Sequence, residues 1–339
     1  MIPFRTRRFL KRLFVALLIL VLVAAIVLLC WLLWLNRYVV YTRDGVKLDF
    51  NLPPILSGGQ LAVPPTQGPG VDIYYNEGEN TLKPVNTELT QISGYYITGE
   101  MLTQDFAAVD AQVRKLPVGT PVMLDVKTIR GTFYYSTALG PVSESVDAKA
   151  VDRLIAYLRS NDYYLIAKLP AFRDYHYGLN NVNYGIFNPN QLSLWMDEDR
   201  VYWLNPASEG TLDYLRQIAA ELRLLGFDEV LFDDFRFPDT TNIYCPYDRA
   251  ETIAATAASL VKICATDTFS VSFGSKEATF PLPEGRSRLY LSNASAAEAA
   301  NLAGQTGLED APIRVVFLTD LLDTRFDSYS VLRPITTAE

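Results

Sequence analysis

The alternation of apolar and polar positions divides this chain into an apolar head, a short punctuated stretch and a long patterned body. From Phe14 to Leu35 the chain reads FVALLILVLVAAIVLLCWLLWL, 22 residues without a charge. About 20 apolar residues cross the hydrocarbon core of a bilayer as a helix, at about 1.5 Å of rise each. A cleaved signal peptide has an apolar run of roughly 7–15 residues and a small-residue cleavage site. Here the run is longer and Asn36-Arg37-Tyr38 follows it. The pattern predicts an uncleaved transmembrane signal-anchor helix over 14–35, with Trp31 and Trp34 near its outer interface. Residues 38–50 (YVVYTRDGVKLDF) read as two strands around Asp44-Gly45, a hairpin. Pro53, Pro54, Pro64, Pro65 and Pro69 then stand among glycines, a composition that stays extended. Residues 36–72 are therefore expected to be hairpin and spacer.

From 73 to 339 strand-like and helix-like stretches alternate. The strand-like runs are Ile92–Thr98, Pro121–Lys127, Tyr164–Leu169, Asp228–Asp233, Phe269–Gly274, Arg288–Leu291 and Ile313–Thr319. Helical spacing recurs over about 100–115, 146–160, 208–225, 248–265 and 294–303. Such alternation predicts a parallel sheet with crossover helices, either an open doubly wound sheet or a (β/α)8 barrel of TIM type. No glycine-rich phosphate fingerprint follows the first strand, which weighs against the nucleotide-binding open sheet. Within PVMLDVK, Val122, Leu124 and Val126 share one face and Met123, Asp125 and Lys127 the other. Within DEVLFD, Val230 and Phe232 oppose Leu231 and Asp233. Apolar groups toward the helices and charge inward at the strand's C-terminal end predict the barrel, with its site at that end.

Charge sets the orientation. Arg5, Arg7, Arg8, Lys11 and Arg12 precede the apolar run with no acid among residues 1–35. A basic flank stays inside, so 1–13 is expected to be a cytoplasmic tail and the rest extracellular, in a single-pass protein of the cell membrane. The exported part carries 25 basic against 38 acidic groups, a poor surface for nucleic acid. His176 is the only histidine, so no zinc site of the usual kind is expected, nor any cofactor. Cys30 lies in the span, and a bridge between Cys245 and Cys264 is an open alternative.

Chemistry concentrates at GFDEVLFDDFRFP, residues 226–238. Period-2 geometry sends Asp233 and Asp234 to opposite faces, and Asp233 shares the inward face with Leu231. Arg236 is placed to hold a carboxylate ionised, or to cap the next segment in a surface ion pair with the acids. This stretch resembles strand 4, FDEIQFDYIRFP, of a bacterial family of glycoside-hydrolase type with TIM-barrel fold, long catalogued as a domain of unknown function. LDVKTIRGTFYYS (124–136), YLIAKLPAFRD (164–174) and YWLNPASEGTLDYLRQIAAEL (202–222) are similar to further blocks of that family, in the same order. The resemblance covers about residues 90–240 and implies a TIM barrel, export and action on a polysaccharide. The chain departs from the family at Thr128, Ile129 and Arg130, at SVSFG (270–274), and throughout the part beyond 275, which is expected to be degenerate.

Glycoside hydrolysis needs two carboxylates, one ionised and one holding a proton. Asp233 is the expected nucleophile, with Glu277 or Asp125 as its partner. Acids after strands 4, 5 and 7 resemble the amylase-like layout, in which Asp320 supports; Asp234, Asp174, Lys168 and Lys127 complete the supporting set. Asp125 with Lys127 also reads as a structural ion pair. Tyr175, Tyr177 and Tyr184 in the loop 172–187, then Trp195, Trp203 and Asn205, offer flat faces and polar handles for sugar. The expected function is a membrane-anchored glycoside hydrolase acting on cell-envelope or extracellular polysaccharide. The alternative is a catalytically lapsed barrel that binds glycans or organises the envelope. No nucleophile elbow or metal motif points to another hydrolase.

Overall fold

The structure, a computed structural model, describes residues 88–338 together with 22–24, 27, 28, 31, 39–42 and 45–48. The expected tail 1–13, most of the span 14–35 and the spacer 49–72 lie outside the described residues. Among the described residues no helix is long and apolar enough to cross a membrane. The chain divides into two compact units, Met1–Asn80 and Thr81–Glu339. In the first, residues 22–24, 27, 28 and 31 are helical, and the hairpin pairs Val39–Thr42 with Gly45–Leu48 antiparallel.

The second unit is built on a closed barrel of eight parallel strands. They are β1 (Ser93–Ile97), β2 (Pro121–Asp125), β3 (Tyr164–Pro170), β4 (Glu229–Asp233), β5 (Ser270–Ser275), β6 (Leu289–Ser292), β7 (Val315–Leu318) and β8 (Ser330–Pro334). Each pairs with the next, and β8 closes on β1 with Val331 opposite Ser93. Seven strands stand where the alternation predicts them. The eighth escaped because SVLRP is short, ends in Arg333-Pro334, and follows a single 3₁₀ turn (Thr324–Phe326) instead of a helix.

Helices α1 (Gly99–Gln104) and α2 (Phe106–Val113) replace one predicted helix. Asp105 divides them, leaving helical geometry so that its carboxylate can accept from the Ala108 N–H. α3 (Ala148–Ser160) buries Val151, Leu154, Ile155 and Leu158 as their spacing predicts. A short α4 (Tyr175–Asn180) lies in the loop after β3. α5 (Glu209–Leu225) ends at Gly226 in the left-handed conformation, and α6 (Arg249–Cys264) starts at Asp248, whose carboxylate accepts from the Glu251 N–H. Among the described residues only α7 (Ala299–Gln305) and the one-turn α8 (Ala311–Arg314) follow, so the coat thins after β5, although the strands beyond residue 275 are all present and the barrel closes.

Side chains fill the barrel in three levels. Along β3 the inward positions are Tyr164, Ile166 and Lys168, and along β4 Glu229, Leu231 and Asp233. Ile92, Met123, Ile166, Leu231, Tyr290, Val316 and Leu332 form the internal apolar cluster, whereas Val122, Leu124, Val230 and Phe232 pack with the helices. Beneath the apolar level, Glu229 is fully buried, ion-paired to Arg288, and accepts from the Tyr164 and Tyr290 hydroxyls at 2.8 Å each. Above it stand charges at the C-terminal mouth.

Beside that lower network, the Asp228 carboxylate accepts from the Leu165 N–H at 2.8 Å, and burial pushes its pKa up to about 6. A native pKa above the unfolded one gives stability that is present at low pH and lost as pH rises through about 6. Asp228→Asn retains an acceptor without the charge. It is expected to stabilise the protein by about 2 kcal/mol at pH 7 and by well under about 1 kcal/mol at pH 4. Urea unfolding of both proteins at the two pH values checks this; an equal effect at both would remove the titration from the account.

Candidate active site

Three inward positions at strand ends make the upper level: Asp125 on β2, Lys168 on β3 and Asp233 on β4. The Lys168 ammonium lies 3.6 Å from Asp125 and 3.2 Å from Asp233, which holds the two carboxylates within about 7 Å of each other. Asp125 also accepts from the Gly99 N–H at 2.9 Å, at the start of α1. Asp233 accepts from the Asp234 N–H at 3.0 Å and leans against β5. There Gly274 is required, because a Cβ would lie 2.2 Å from Asp233 Oδ1. A cavity of about 350 Å³ opens over the group, lined by Gly99, Asp125, Ile129, Tyr134, Lys168 and Asp233 among others.

The two acids differ in setting. The Asp125 side chain is 22% exposed and that of Asp233 is 38% exposed. Burial raises the Asp125 pKa, and the Lys168 charge only partly opposes it. Burial works against the ammonium of Lys168, but Asp125 and Asp233 outweigh it and its pKa rises. Lys168 is thus a fixed cation and not an amine nucleophile. Tyr96 and Tyr134, which sequence reasoning did not single out, belong to the same mouth. Burial raises both phenol pKa values, helped by Asp320 and Asp125 at Tyr96 and by Asp125 at Tyr134. Asp320 is exposed but acts on this mouth through Tyr96.

Other candidates sit elsewhere. Arg236 pairs with Asp234 at 2.6 Å and not with Asp233. Asp234 adopts the left-handed conformation (φ 50°), which turns the chain out of the strand and its carboxylate toward Arg236. Lys127 does not pair with Asp125. β2 ends at Asp125, and Lys127 reaches Asp174 at 2.8 Å, both side chains fully buried. Asp174 also accepts from the Tyr214 hydroxyl and the Tyr177 N–H, so this pair fastens the loop after β2 to the start of α4. Gly131 completes the fastening, with φ 82° and room for no Cβ beside Asp174. Glu277 is exposed, lies beyond the end of β5, and lines a different cavity.

The aromatic candidates largely face one another. Tyr177 stacks on Tyr214 with centroids 3.7 Å apart, and Tyr184 lies 6.3 Å from Tyr177. Trp203 is buried, donates to Asp197 at 2.9 Å and meets Trp195 edge-on. Asn205 accepts from the Tyr247 hydroxyl at 2.6 Å. None of Tyr175, Tyr177, Tyr184, Trp195, Trp203 and Asn205 lines the cavity over Asp233. Tyr175 touches the rim through its backbone, its N–H donating to the carbonyl of Ile129, which does line it. Cys245 and Cys264 are both free thiols, so the bridge is not formed.

A parallel barrel with acids converging at the C-terminal ends of its strands is the architecture that many enzymes share. A family model described as "Putative glycosyl hydrolase domain" matches residues 94–266, and the chain belongs to that family. Among solved structures, a hypothetical protein from Ruminiclostridium thermocellum is 21% identical, with a TM-score of 0.45 over 52% of this chain and 96% of its own. The alpha-galactosidase from Lactobacillus brevis is 10% identical with a TM-score of 0.51, and this chain covers 38% of its length while 75% of this chain is matched. The exo beta-N-acetylglucosaminidase of Vibrio harveyi gives 10% and 0.49, over 68% of this chain and 42% of that one. The chain thus spans about two fifths of these two glycosidases. Among curated proteins, none matches the sequence.

Proposed function

We propose that this protein is a glycoside hydrolase that cleaves cell-envelope or extracellular polysaccharide from a membrane anchor. The observation that carries the reading is the pair Asp125–Asp233, held on one lysine at the floor of a mouth cavity. Asp233, the more exposed and nearer to the cation, is suited to the ionised role, attacking or stabilising the anomeric carbon. Asp125, whose proton is favoured by burial, is suited to protonating the leaving oxygen. Family membership supports the reaction class. The uncharged run 14–35 behind its basic flank supports anchoring and export. A barrel that binds glycans without cleaving them is the second reading. It is favoured by the exposure of Glu277 and its place in a cavity other than the one over Asp233.

Release of new reducing ends from cell-envelope polysaccharide by the intact chain tests the first reading, and binding without release would favour the second. The pH profile carries a sharper expectation. The Lys168 charge lowers the Asp125 pKa, so its removal raises it. Lys168→Met is expected to move the alkaline limb of activity to higher pH by about one unit or more. A limb that stays in place would mean that Asp125 is not the titrating acid.

A further inference from the structure

A second cavity, of about 570 Å³, opens between the segments that follow β4 and β5. It adjoins the acids in sequence and in space. Gly274 packs on Asp233 and its carbonyl accepts from the Phe235 N–H at 3.0 Å; Ser275 and Phe235, the next residues outward, line the cavity. The floor is apolar, lined by the largely buried Phe235, Phe237 and Phe280. The rim alternates donors and acceptors. Arg249 donates to the Pro238 and Thr240 carbonyls, Lys276 is exposed, neither has a carboxylate partner among the described residues, and Glu277 faces the same space.

An apolar floor with convergent donors and acceptors suits a pyranose, whose ring offers a C–H face and whose hydroxyls both donate and accept. Charge narrows the class. The lining cations Arg236, Arg249 and Lys276 face the acids Asp239 and Glu277, and Arg236 is already neutralised by Asp234. The cavity is therefore close to neutral, on a chain of net charge −8 that repels polyanions. We propose that it is a second saccharide subsite for neutral pyranose units of the same chain that reaches Asp233, so that cleavage falls within a polysaccharide strand. This rests on the glycoside hydrolase reading but is tested by binding, which does not need turnover.

Ala250, on the first turn of α6, is exposed on the cavity wall and belongs to no part of the acid pair. The probes are neutral disaccharides and hexasaccharides of glucose, galactose, mannose and N-acetylglucosamine, titrated calorimetrically into the full chain. At least one hexasaccharide is expected to bind tenfold or more tighter than its disaccharide, and Ala250→Trp to erase that gain while disaccharide binding stays unchanged. Thr279→Trp, exposed on the opposite wall, repeats the block if the first variant folds poorly. No gain with length in the wild type, or a gain that survives both variants, overturns the subsite. Binding that follows the expected pattern with no reducing ends released would leave the subsite standing and remove hydrolysis alone.

Discussion

Asp233→Asn is expected to lower turnover by at least about a thousandfold, roughly 4 kcal/mol of barrier, while leaving the fold and sugar binding in place. Asparagine keeps the shape that leans on Gly274 and can still meet Lys168 with its amide oxygen, but it cannot attack an anomeric carbon or balance positive charge there. Lys168 retains Asp125 as its ionic partner, so the barrel mouth does not lose its only counter-charge. The companion Asp125→Asn separates the two roles. A missing general acid matters most for poor leaving groups, so this variant should be severely slowed on oligosaccharides and far less on aryl glycosides with acidic phenols. Asp233→Asn should be slow on both. Equal behaviour of the two variants across leaving groups would refute the division of labour, and full activity in Asp233→Asn would refute the site.

Arg288→Met is expected to cost about 3–5 kcal/mol of stability. The guanidinium is 1% exposed, pairs with the fully buried Glu229, and donates to the Thr90 carbonyl at 2.9 Å. Removing it leaves a carboxylate under the apolar level with, among the described residues, the Tyr164 and Tyr290 hydroxyls as its donors. Burial and Glu229 hold the Tyr290 phenol well above its ordinary pKa, so it remains a donor and cannot supply charge. Because the cost lies in the orphaned charge, the double variant Arg288→Met, Glu229→Gln should recover a large part of it. Urea unfolding of the two single variants and the double variant forms the cycle. An additive double variant would show that the two side chains act independently.

Much of this barrel is written in the period of its apolar residues. Val122 and Leu124 face the helices while Met123 and Asp125 face inward because alternate residues of a strand point to opposite faces, and Leu231 with Asp233 obeys the same rule. Position along a strand could therefore be inferred, and with it the inward aim of Asp233. Partnership between strands could not. Asp125 pairs with Lys168 because β2 and β3 set them side by side in register, whereas Lys127 is near in sequence but already beyond the strand. Arg236 missed Asp233 because one left-handed residue redirected the chain, a conformation that Asp adopts without any warning in its neighbours. The aromatic loop misled for a related reason. Tyrosines rich enough to bind sugar are equally able to stack on one another, and composition does not distinguish the two.

The thinning of the helical coat has a consequence for how the molecule comes apart. The strands that carry Asp125, Lys168 and Asp233 are followed by the three long helices α3, α5 and α6, whereas β6, β7 and β8 are backed by short helical pieces and loops. Local opening is easiest where few apolar side chains are buried, so amide protons on the later strands should exchange with solvent before those on β2, β3 and β4. A molecule warmed toward unfolding would then loosen first on the flank opposite its acids. The reactive groups stand on the part of the cylinder that lets go last.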